Sequence, residues 1–248
     1  MSISDGGRPA LLCDADGNLF PSEEPAFVAS ADVTNAFLTS LGVPASYTAE
    51  ELRVATTGQN FRRTAVALAA SHGHELGEDP AFTHDELEAW VDRERIAVTR
   101  HLGRVLRPDR DVLEPLRRLA ARYTLAAVSS SALGRLDACF CATALAELIP
   151  PQLRFSAEDS LPAPASKPDP AIYRLALKRL GVPPDQAVAV EDSVPGVVSA
   201  VRAGIRTVGN VAFVPAAERA ARRAELLDAG AEAVVSSWSA LADLLTRR

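Results

Sequence analysis

Three short apolar segments of this sequence each end in polar side chains that could do chemistry together. The segments are residues 10–13, 124–128 and 187–190, and the polar residues that follow them are Asp14, Asp16, Ser129, Glu191 and Asp192. Clustered carboxylates repel one another, so they need a divalent cation or an ammonium group to stay ionised. Oxygen donors that leave room for waters and a phosphate suit Mg²⁺. Because a carboxylate can also attack phosphorus, these residue types point to phosphoryl transfer.

A parallel sheet would bring these distant residues together. In open α/β sheets the ligand site lies beyond the carboxyl ends of the strands, where Asp14, Ser129 and Asp192 would meet. Lys167 stands in the Pro-rich stretch 161–170, before a predicted helix, and is expected to reach the same edge. Only two of the 26 Lys+Arg residues are lysines, so a lysine at this place is an uncommon choice. A hydroxyl and an ammonium there would stabilise charge on phosphoryl oxygens.

The spacing of apolar residues divides the chain into two regions. Residues 21–104 have apolar residues near helical spacing and no alternating strand pattern, which predicts a helical module. In the rest of the chain short apolar runs alternate with amphipathic helices, which predicts a parallel sheet with helices on both faces. We therefore predict a doubly wound, Rossmann-like α/β core in residues 1–20 and 105–248, with a helical cap inserted at residues 21–104.

Composition excludes several classes of protein and partner. The chain has 248 residues and a net charge of −6, so it has no general field that attracts nucleic acid or an anionic membrane. It contains no apolar run of about 18 residues, so we expect no transmembrane helix, and its first residues lack the features of a signal peptide. Cys13, Cys139 and Cys141 are odd in number and form no CxxC pair, so we expect buried thiols, no zinc site and a reducing cytoplasm.

Four segments, in order, resemble the motifs of the haloacid dehalogenase-like hydrolase superfamily. Residues 14–19 (DADGNL) are similar to DxDGT followed by an apolar residue, and residues 128–131 (VSSS) to an apolar strand that ends in Ser or Thr. Residues 167–173 (KPDPAIY) are similar to KPxPxxY, and residues 191–197 (EDSVPGV) to EDSxxGV. The long insert after the first motif resembles the subgroup with a helical cap, which includes phosphoglycolate phosphatase-like and β-phosphoglucomutase-like enzymes. Each motif alone is weak, whereas four in this order are specific.

The resemblance implies a role for each residue of the core motifs. Asp14 would be the nucleophile and a ligand of Mg²⁺. Asp16 would be the general acid and base, and its backbone carbonyl would also bind the metal. Ser129 would donate a hydrogen bond to a phosphoryl oxygen, with the backbone amide of Ser130 beside it. Lys167 would bridge the nucleophile and the phosphoryl group.

The fourth motif completes the implied metal site. By the same resemblance, Asp192 would be a metal ligand, and Glu191 would be either a ligand or a residue that contacts the ligands. One departure is visible, because Asn18 stands where Thr, Val or a similar small residue is common. A polar side chain in the turn beside the site is expected to alter how the cap docks or how the leaving group is met.

In related caps, a loop and the start of a helix face the active site. The matching residues here include Gly58, Asn60 and Arg62, which we predict as substrate-binding residues. An arginine there could clamp an anionic group of the substrate. The alternative is that these residues form an ordinary solvated helix face. The cap itself is expected to close over the site and exclude water.

We therefore expect a Mg²⁺-dependent phosphatase that hydrolyses a small, sugar-phosphate-like monoester through an aspartyl-phosphate on Asp14. A β-phosphoglucomutase-like mutase usually has a histidine about a dozen residues after the nucleophile. This chain has Ala26 at that position, which disfavours a mutase. The cap has no lysine, which argues against the Schiff-base chemistry of a phosphonoacetaldehyde hydrolase. Dehalogenases lack the second aspartate of the first motif, whereas this chain has Asp16 at that position, which argues against dehalogenase activity. A non-catalytic protein that binds a phosphorylated ligand on the same fold is the alternative from another class. The oligomeric state is left open.

Overall fold

The computed structural model describes residues 7–56, 60–79, 81–163 and 165–246. The chain forms two units. One unit consists of Met1–Pro21 with Leu106–Arg248, and the other of Ser22–Val105. The first unit contains the sheet, and the second contains helices in its described residues.

All the strands of the sheet are parallel, and their order confirms the doubly wound prediction. They are β1 (Ala10–Cys13), β2 (Thr124–Ser129), β3 (Arg154–Ser156), β4 (Ala187–Glu191), β5 (Arg206–Asn210) and β6 (Ala233–Val235), in the spatial order β3-β2-β1-β4-β5-β6. The chain winds outward from β1 to β3 and then returns to place β4 on the other side of β1. Strands β1 and β4 therefore flank the point where the winding reverses, which is where ligands bind in such sheets.

The second unit is a helical module. Its helices are α1 (Glu23–Ser40), α2 (Ala49–Thr56), α3 (Phe61–Ser71) and α4 (His84–Val105). They enclose a core in which the rings of Phe82 and Trp90 pack against Phe37. Helix α2 was not predicted from the sequence, although Thr48 and Glu51 form a reciprocal capping box at its start.

Further helices cover the sheet in the first unit. They are α5 (Arg110–Ala120), α6 (Leu133–Ala142), α7 (Ala171–Leu180), α8 (Val194–Arg202), α9 (Arg219–Asp228) and α10 (Trp238–Thr246). Every residue of β1 and β4 is buried, which explains why these strands are continuous apolar runs without alternation. Helix α6, which was not predicted from the sequence, is stabilised by burial of Leu136, Cys139 and Phe140.

Two expectations from composition can be compared with the structure. Cys13 and Cys139 are buried as predicted, but Cys141 is exposed on the outer side of α6, so the prediction of a buried thiol is wrong there. Among the described residues, no helix is both long enough and apolar enough to cross a membrane.

Candidate active site

The carboxyl ends of three neighbouring strands carry the polar residues predicted for the site. Cys13 of β1 lies in register with Ala127 of β2 and Val190 of β4, so Asp14 follows at the level of the ends of both neighbours. The backbone amide of Asp14 donates to the carbonyl of Val190 at 2.9 Å, which continues the ladder one residue past β1. Strand order thus brings together residues that lie more than 100 positions apart.

Lys167 lies at the centre of this arrangement. Its Nζ donates to Oδ1 of Asp14 at 2.5 Å, to Oε1 of Glu191 at 2.6 Å and to the carbonyl oxygen of Val128 at 2.8 Å. An ammonium has three hydrogens, so these acceptors use its donor capacity fully. The side chain is only 6% exposed. The ammonium is therefore held in one place by groups from the ends of β1, β2 and β4.

Burial and charge act in opposite directions on the buried pair. Burial raises the pKa of Asp14 to about 8, while the ammonium of Lys167 opposes this shift. Burial by itself would lower the pKa of Lys167, but the carboxylates of Asp14 and Glu191 outweigh it and hold that pKa above its usual range. The lysine is therefore a permanent cation, whereas a further positive charge is needed to keep Asp14 fully ionised at neutral pH.

Glu191 is fully buried and its two oxygens have different surroundings. Oε1 accepts from Lys167 and, at 2.5 Å, from the hydroxyl of Tyr173. Burial and the Glu191 carboxylate raise the pKa of Tyr173 well above its usual value, so the phenol keeps its proton and donates it. Oε2 lies against Gly196, where a Cβ atom would come within 1.8 Å of it. Tyr173 belongs to the third motif, but its contact with Glu191 was not predicted from the sequence.

The same group of residues fits a divalent cation. Asp14, Glu191 and Asp192 each offer a carboxylate oxygen, and these atoms lie within 4.8 Å of one another. Among the residues described, no hydrogen-bond donor reaches Oε2 of Glu191. The glycine turn of the first motif also lies against this group, since a Cβ on Gly17 would come within 2.4 Å of Oδ2 of Asp192. Hard oxygen donors of this kind suit Mg²⁺ better than softer metals.

Asp16 has its own set of partners at the start of α6. Its carboxylate accepts from Oγ of Ser131 at 2.7 Å, from Oγ of Ser129 at 3.4 Å and from the guanidinium of Arg135 at 3.1 Å. The side chain of Ser130 is exposed. The contacts of Ser131 and Arg135 with Asp16 were not predicted from the sequence. Serine residues in the second motif were a visible signal, but nothing in the motif points to Arg135.

The structure overturns the expectation for Asn18. Its side chain is fully buried and faces the interior rather than a leaving group. Its amide nitrogen donates to the backbone carbonyls of Asp14 and Val190, both at 3.0 Å, and its amide oxygen accepts from Asn210 at 2.8 Å. The indole of Trp238 donates to the backbone carbonyl of Asn18 at 3.0 Å. Every polar atom of the side chain is therefore satisfied inside the core.

The predicted substrate-binding residues of the cap lie in the second unit. Gly58 lies outside the described residues. Asn60 is the N-cap of α3, and its side-chain oxygen accepts from the backbone amide of Arg63 at 3.0 Å. Both nitrogens at the tip of Arg62 pair with the carboxylate of Glu88 on the solvated side of the helices. Contact with substrate at these positions stays a prediction.

Known proteins resemble this chain over most of its length. A family model of haloacid dehalogenase-like hydrolases matches residues 9–204. Protein CbbY of Cereibacter sphaeroides is 30% identical over 226 residues, which cover 90% of this chain and 93% of CbbY. The phosphorylated carbohydrates phosphatase of Thermotoga maritima is 45% identical over 69 residues, 28% of this chain and 30% of that protein. A solved structure of a CbbY variant from Rhodobacter sphaeroides, in complex with xylulose-1,5-bisphosphate, matches with a TM-score of 0.66 at 25% identity, covering 94% of this chain and 96% of that one.

Proposed function

The chain belongs to the haloacid dehalogenase-like hydrolase family, and we propose that it is a Mg²⁺-dependent phosphatase of a small phosphate monoester. One observation carries this proposal: the ammonium of Lys167 contacts both Asp14 and Glu191, in the group of carboxylates that includes Asp192. A potential nucleophile is thereby held beside fixed positive charge and a set of oxygen donors. That arrangement suits the transfer of a phosphoryl group to a carboxylate.

The carboxylates of Asp14, Glu191 and Asp192 would hold the metal, together with the backbone carbonyl of Asp16 that the family pattern implies. When bound, Mg²⁺ supplies positive charge that stabilises the phosphoryl oxygens during transfer. The raised pKa of Asp14, about 8, supports the need for such a charge, because a protonated carboxyl is a poor nucleophile.

In the first step, an oxygen of Asp14 attacks phosphorus and the bond from phosphorus to the ester oxygen breaks. Asp16 gives its proton to the departing alcohol oxygen. Ser129 turns its hydroxyl from Asp16 to donate to a phosphoryl oxygen, and the positive charge of the Lys167 ammonium stabilises the phosphoryl oxygens as their charge redistributes. The products of this step are a free alcohol and an aspartyl-phosphate on Asp14.

In the second step, Asp16 acts as a base and takes a proton from water as the water oxygen attacks phosphorus. The bond between phosphorus and the Asp14 oxygen breaks, which restores the carboxylate and releases inorganic phosphate. Asp16 has then regained the proton it gave away, so the cycle closes. The contacts of Asp16 with Ser131 and Arg135 support this role, because they orient its carboxylate.

A phosphorylated sugar or similar carbohydrate phosphate is the substrate class that we propose. Support comes from relatives, since the related CbbY variant was solved with xylulose-1,5-bisphosphate and the Thermotoga maritima relative is named for phosphorylated carbohydrates. The negative net charge offers no support for a nucleic-acid substrate. A cytoplasmic location stays a prediction.

A phosphate-release screen over a panel of phosphate esters tests the proposal. Wild-type protein should release phosphate from a carbohydrate phosphate with Mg²⁺ present and lose this activity in excess chelator. Asp14→Asn should remain folded by circular dichroism and lose turnover of acetyl phosphate and p-nitrophenyl phosphate. Asp243→Asn, a matched change at an exposed ion pair with Arg118, should keep both activities. Undiminished turnover by Asp14→Asn would overturn the assignment of the nucleophile.

Asp16→Asn separates the two chemical steps. The p-nitrophenolate group leaves without protonation, so the variant should still be phosphorylated by p-nitrophenyl phosphate. Hydrolysis of the aspartyl-phosphate should then be slower by about 10²–10⁴-fold, because the general base is missing. We expect a rapid burst of p-nitrophenolate whose amplitude is about equal to the protein concentration. A steady rate without a burst would contradict the role of Asp16 as base.

Product analysis and ligand binding, measured on the same panel of esters, distinguish the mutase and the binding protein from a phosphatase. Isomerisation of a phosphosugar without release of phosphate would favour a mutase. Tight binding of a phosphorylated ligand with no turnover on any ester would favour a binding protein on this fold.

A further inference from the structure

The side-chain amide of Asn18 joins the ends of the two strands that carry the acidic group. Its Nδ2 donates to the carbonyl oxygens of Asp14 and Val190, each at 3.0 Å. Val190 immediately precedes Glu191 and Asp192, and its carbonyl also accepts from the amide of Asp14. The regular ladder between β1 and β4 stops at this point. Asn18 therefore provides one more cross-link between the strands directly beside the carboxylates.

A second buried amide sets the orientation of the first. Asn210, at the end of β5, accepts from the backbone amide of Ala212 at 3.1 Å through its Oδ1. Its Nδ2 must then point away from Ala212, and it donates to Oδ1 of Asn18 at 2.8 Å. This contact leaves the Nδ2 group of Asn18 facing the two carbonyls. Because the backbone N–H of Ala212 can only donate, it fixes the orientation of both side-chain amides.

We propose that Asn18 and Asn210 are positioning residues for the metal-binding carboxylates. The pair ties the ends of β1, β4 and β5 together and so sets the spacing between Asp14 on one strand and Glu191 and Asp192 on the next. The proposal rests on the proposed function, because it assumes that these carboxylates bind Mg²⁺. It extends that function by assigning metal affinity to two side chains that offer no ligand atom to the group.

Stability alone does not account for such a pair. Replacing either amide would leave buried backbone groups unpaired, at a cost of about 1–3 kcal/mol, but these two amides share that property with buried amides elsewhere in the fold. What they add is direction, since each hydrogen bond fixes one backbone group relative to another. Removing a group that orients metal ligands in this way typically weakens metal binding by about 10–100-fold.

The test is a calorimetric titration of metal-free protein with Mg²⁺ alone. Asn18→Leu and Asn210→Leu replace each amide by an apolar side chain of similar size and add no charge. Each variant should bind Mg²⁺ about tenfold or more weakly than wild type. The double variant should bind Mg²⁺ about as well as the single variant with the lower affinity, because both residues act through one chain of hydrogen bonds. Higher Mg²⁺ should restore phosphate release, which would not occur after a general loss of structure.

Asn35→Leu is the matched control in the helical unit. Asn35 makes two similar amide contacts, to the backbone nitrogen and oxygen of Tyr47 at 2.8 and 2.9 Å. Its replacement should lower the melting temperature and leave the Mg²⁺ affinity within about twofold of wild type. If the leucine variants do not fold, Asn210→Ser removes the amide that donates to Asn18, keeps a hydroxyl that can accept from the backbone amide of Ala212, and should weaken Mg²⁺ binding in the same direction.

The outcomes separate this inference from the proposed function. Unchanged Mg²⁺ affinity in a folded Asn18 or Asn210 variant would overturn the inference, while metal-dependent phosphate release by wild type would leave the function standing. Absence of Mg²⁺ binding by the wild-type protein would overturn both.

Discussion

Nζ of Lys167 lies 2.5 Å from Oδ1 of Asp14, although 153 residues separate the two along the chain. The pair is buried, and the ammonium also contacts Glu191 and the carbonyl of Val128. A compact ammonium can meet all three acceptors at once, whereas a planar guanidinium presents its donors in a fixed fork. The position of this lysine therefore explains why a chain with 24 arginines among its 26 Lys+Arg residues has lysine here.

Replacement of Lys167 should disable the site. Lys167→Met leaves Asp14 and Glu191 without their cation, and we expect kcat to fall at least about 10²-fold, since one electrostatic donor is commonly worth that much. Lys167→Arg should lose most of the activity as well, because the geometry is not reproduced. Steady-state phosphate release measures both variants. Lys178→Met, at the chain's other lysine on the exposed side of α7, should behave like wild type, and an equal loss there would contradict the assignment.

Arg135 should act on catalysis through Asp16. Its guanidinium lies 3.1 Å from Oδ1 of Asp16, and both side chains are about a quarter exposed. In Arg135→Gln the carboxylate loses this partner, and we expect kcat to fall about tenfold or more from poorer placement, with KM changing far less. The measurement is the kinetics of a carbohydrate phosphate. Arg117→Gln removes an exposed pair with Glu114 and should change neither constant. A rise in KM as large as the fall in kcat would indicate that Arg135 binds substrate instead.

Gly196 should tolerate no side chain. A Cβ atom there would lie 1.8 Å from Oε2 of Glu191, so Gly196→Ala must displace that buried carboxylate. We expect a loss of stability of about 1–3 kcal/mol, typical of overpacking, together with weaker activity. Gly134→Ala is the control, because nothing lies within 4 Å of the added methyl in α6, and alanine favours helix there. Thermal melts of the two variants should shift in opposite directions, and a neutral Gly196→Ala would contradict the geometry.

The stability of the metal-free protein should depend on the ionisation of Asp14. The folded-state pKa of Asp14, about 8, lies above the usual value of 3.8 for an aspartate, so the protonated form is favoured by folding. This contribution is fully present below the unfolded-state pKa and is lost as pH rises towards 8. Asp14→Asn cannot ionise, so its melting temperature relative to wild type should increase from pH 5 to pH 8. We expect an increase of at least about 2–4 °C, which corresponds to about 1 kcal/mol for a domain of this size.

Melts in excess chelator at both pH values measure this difference. Mg²⁺ should reverse it for wild type at pH 8, because the cation favours ionised Asp14. Parallel melting profiles of the two proteins between pH 5 and pH 8 would contradict the prediction.

The sequence by itself determined the strands of the sheet and indicated which residues belong to the candidate site. Residues 10–13 and 187–190 are continuous apolar runs that stop at a carboxylate, a pattern that local burial on both faces imposes. Four ordered motifs then predicted that Asp14 and Lys167 belong to one site. Local pattern was sufficient for the strands, because a strand is defined by neighbours in the sequence, whereas the roles predicted for Asp14 and Lys167 came from the resemblance to the hydrolase motifs.

Only the tertiary structure decided which partners orient those residues. Arg135 meets Asp16 from a helix whose existence depends on burial against the sheet. Asn18 was expected to alter how the cap docks or how the leaving group is met, yet its side chain points inward, where Asn210, 192 residues away, supplies the donor for its oxygen. Such contacts depend on the order of strands β1, β4 and β5 in space. The periodicity of a single segment reports which side is buried, and it contains no information about which distant side chain will be found there.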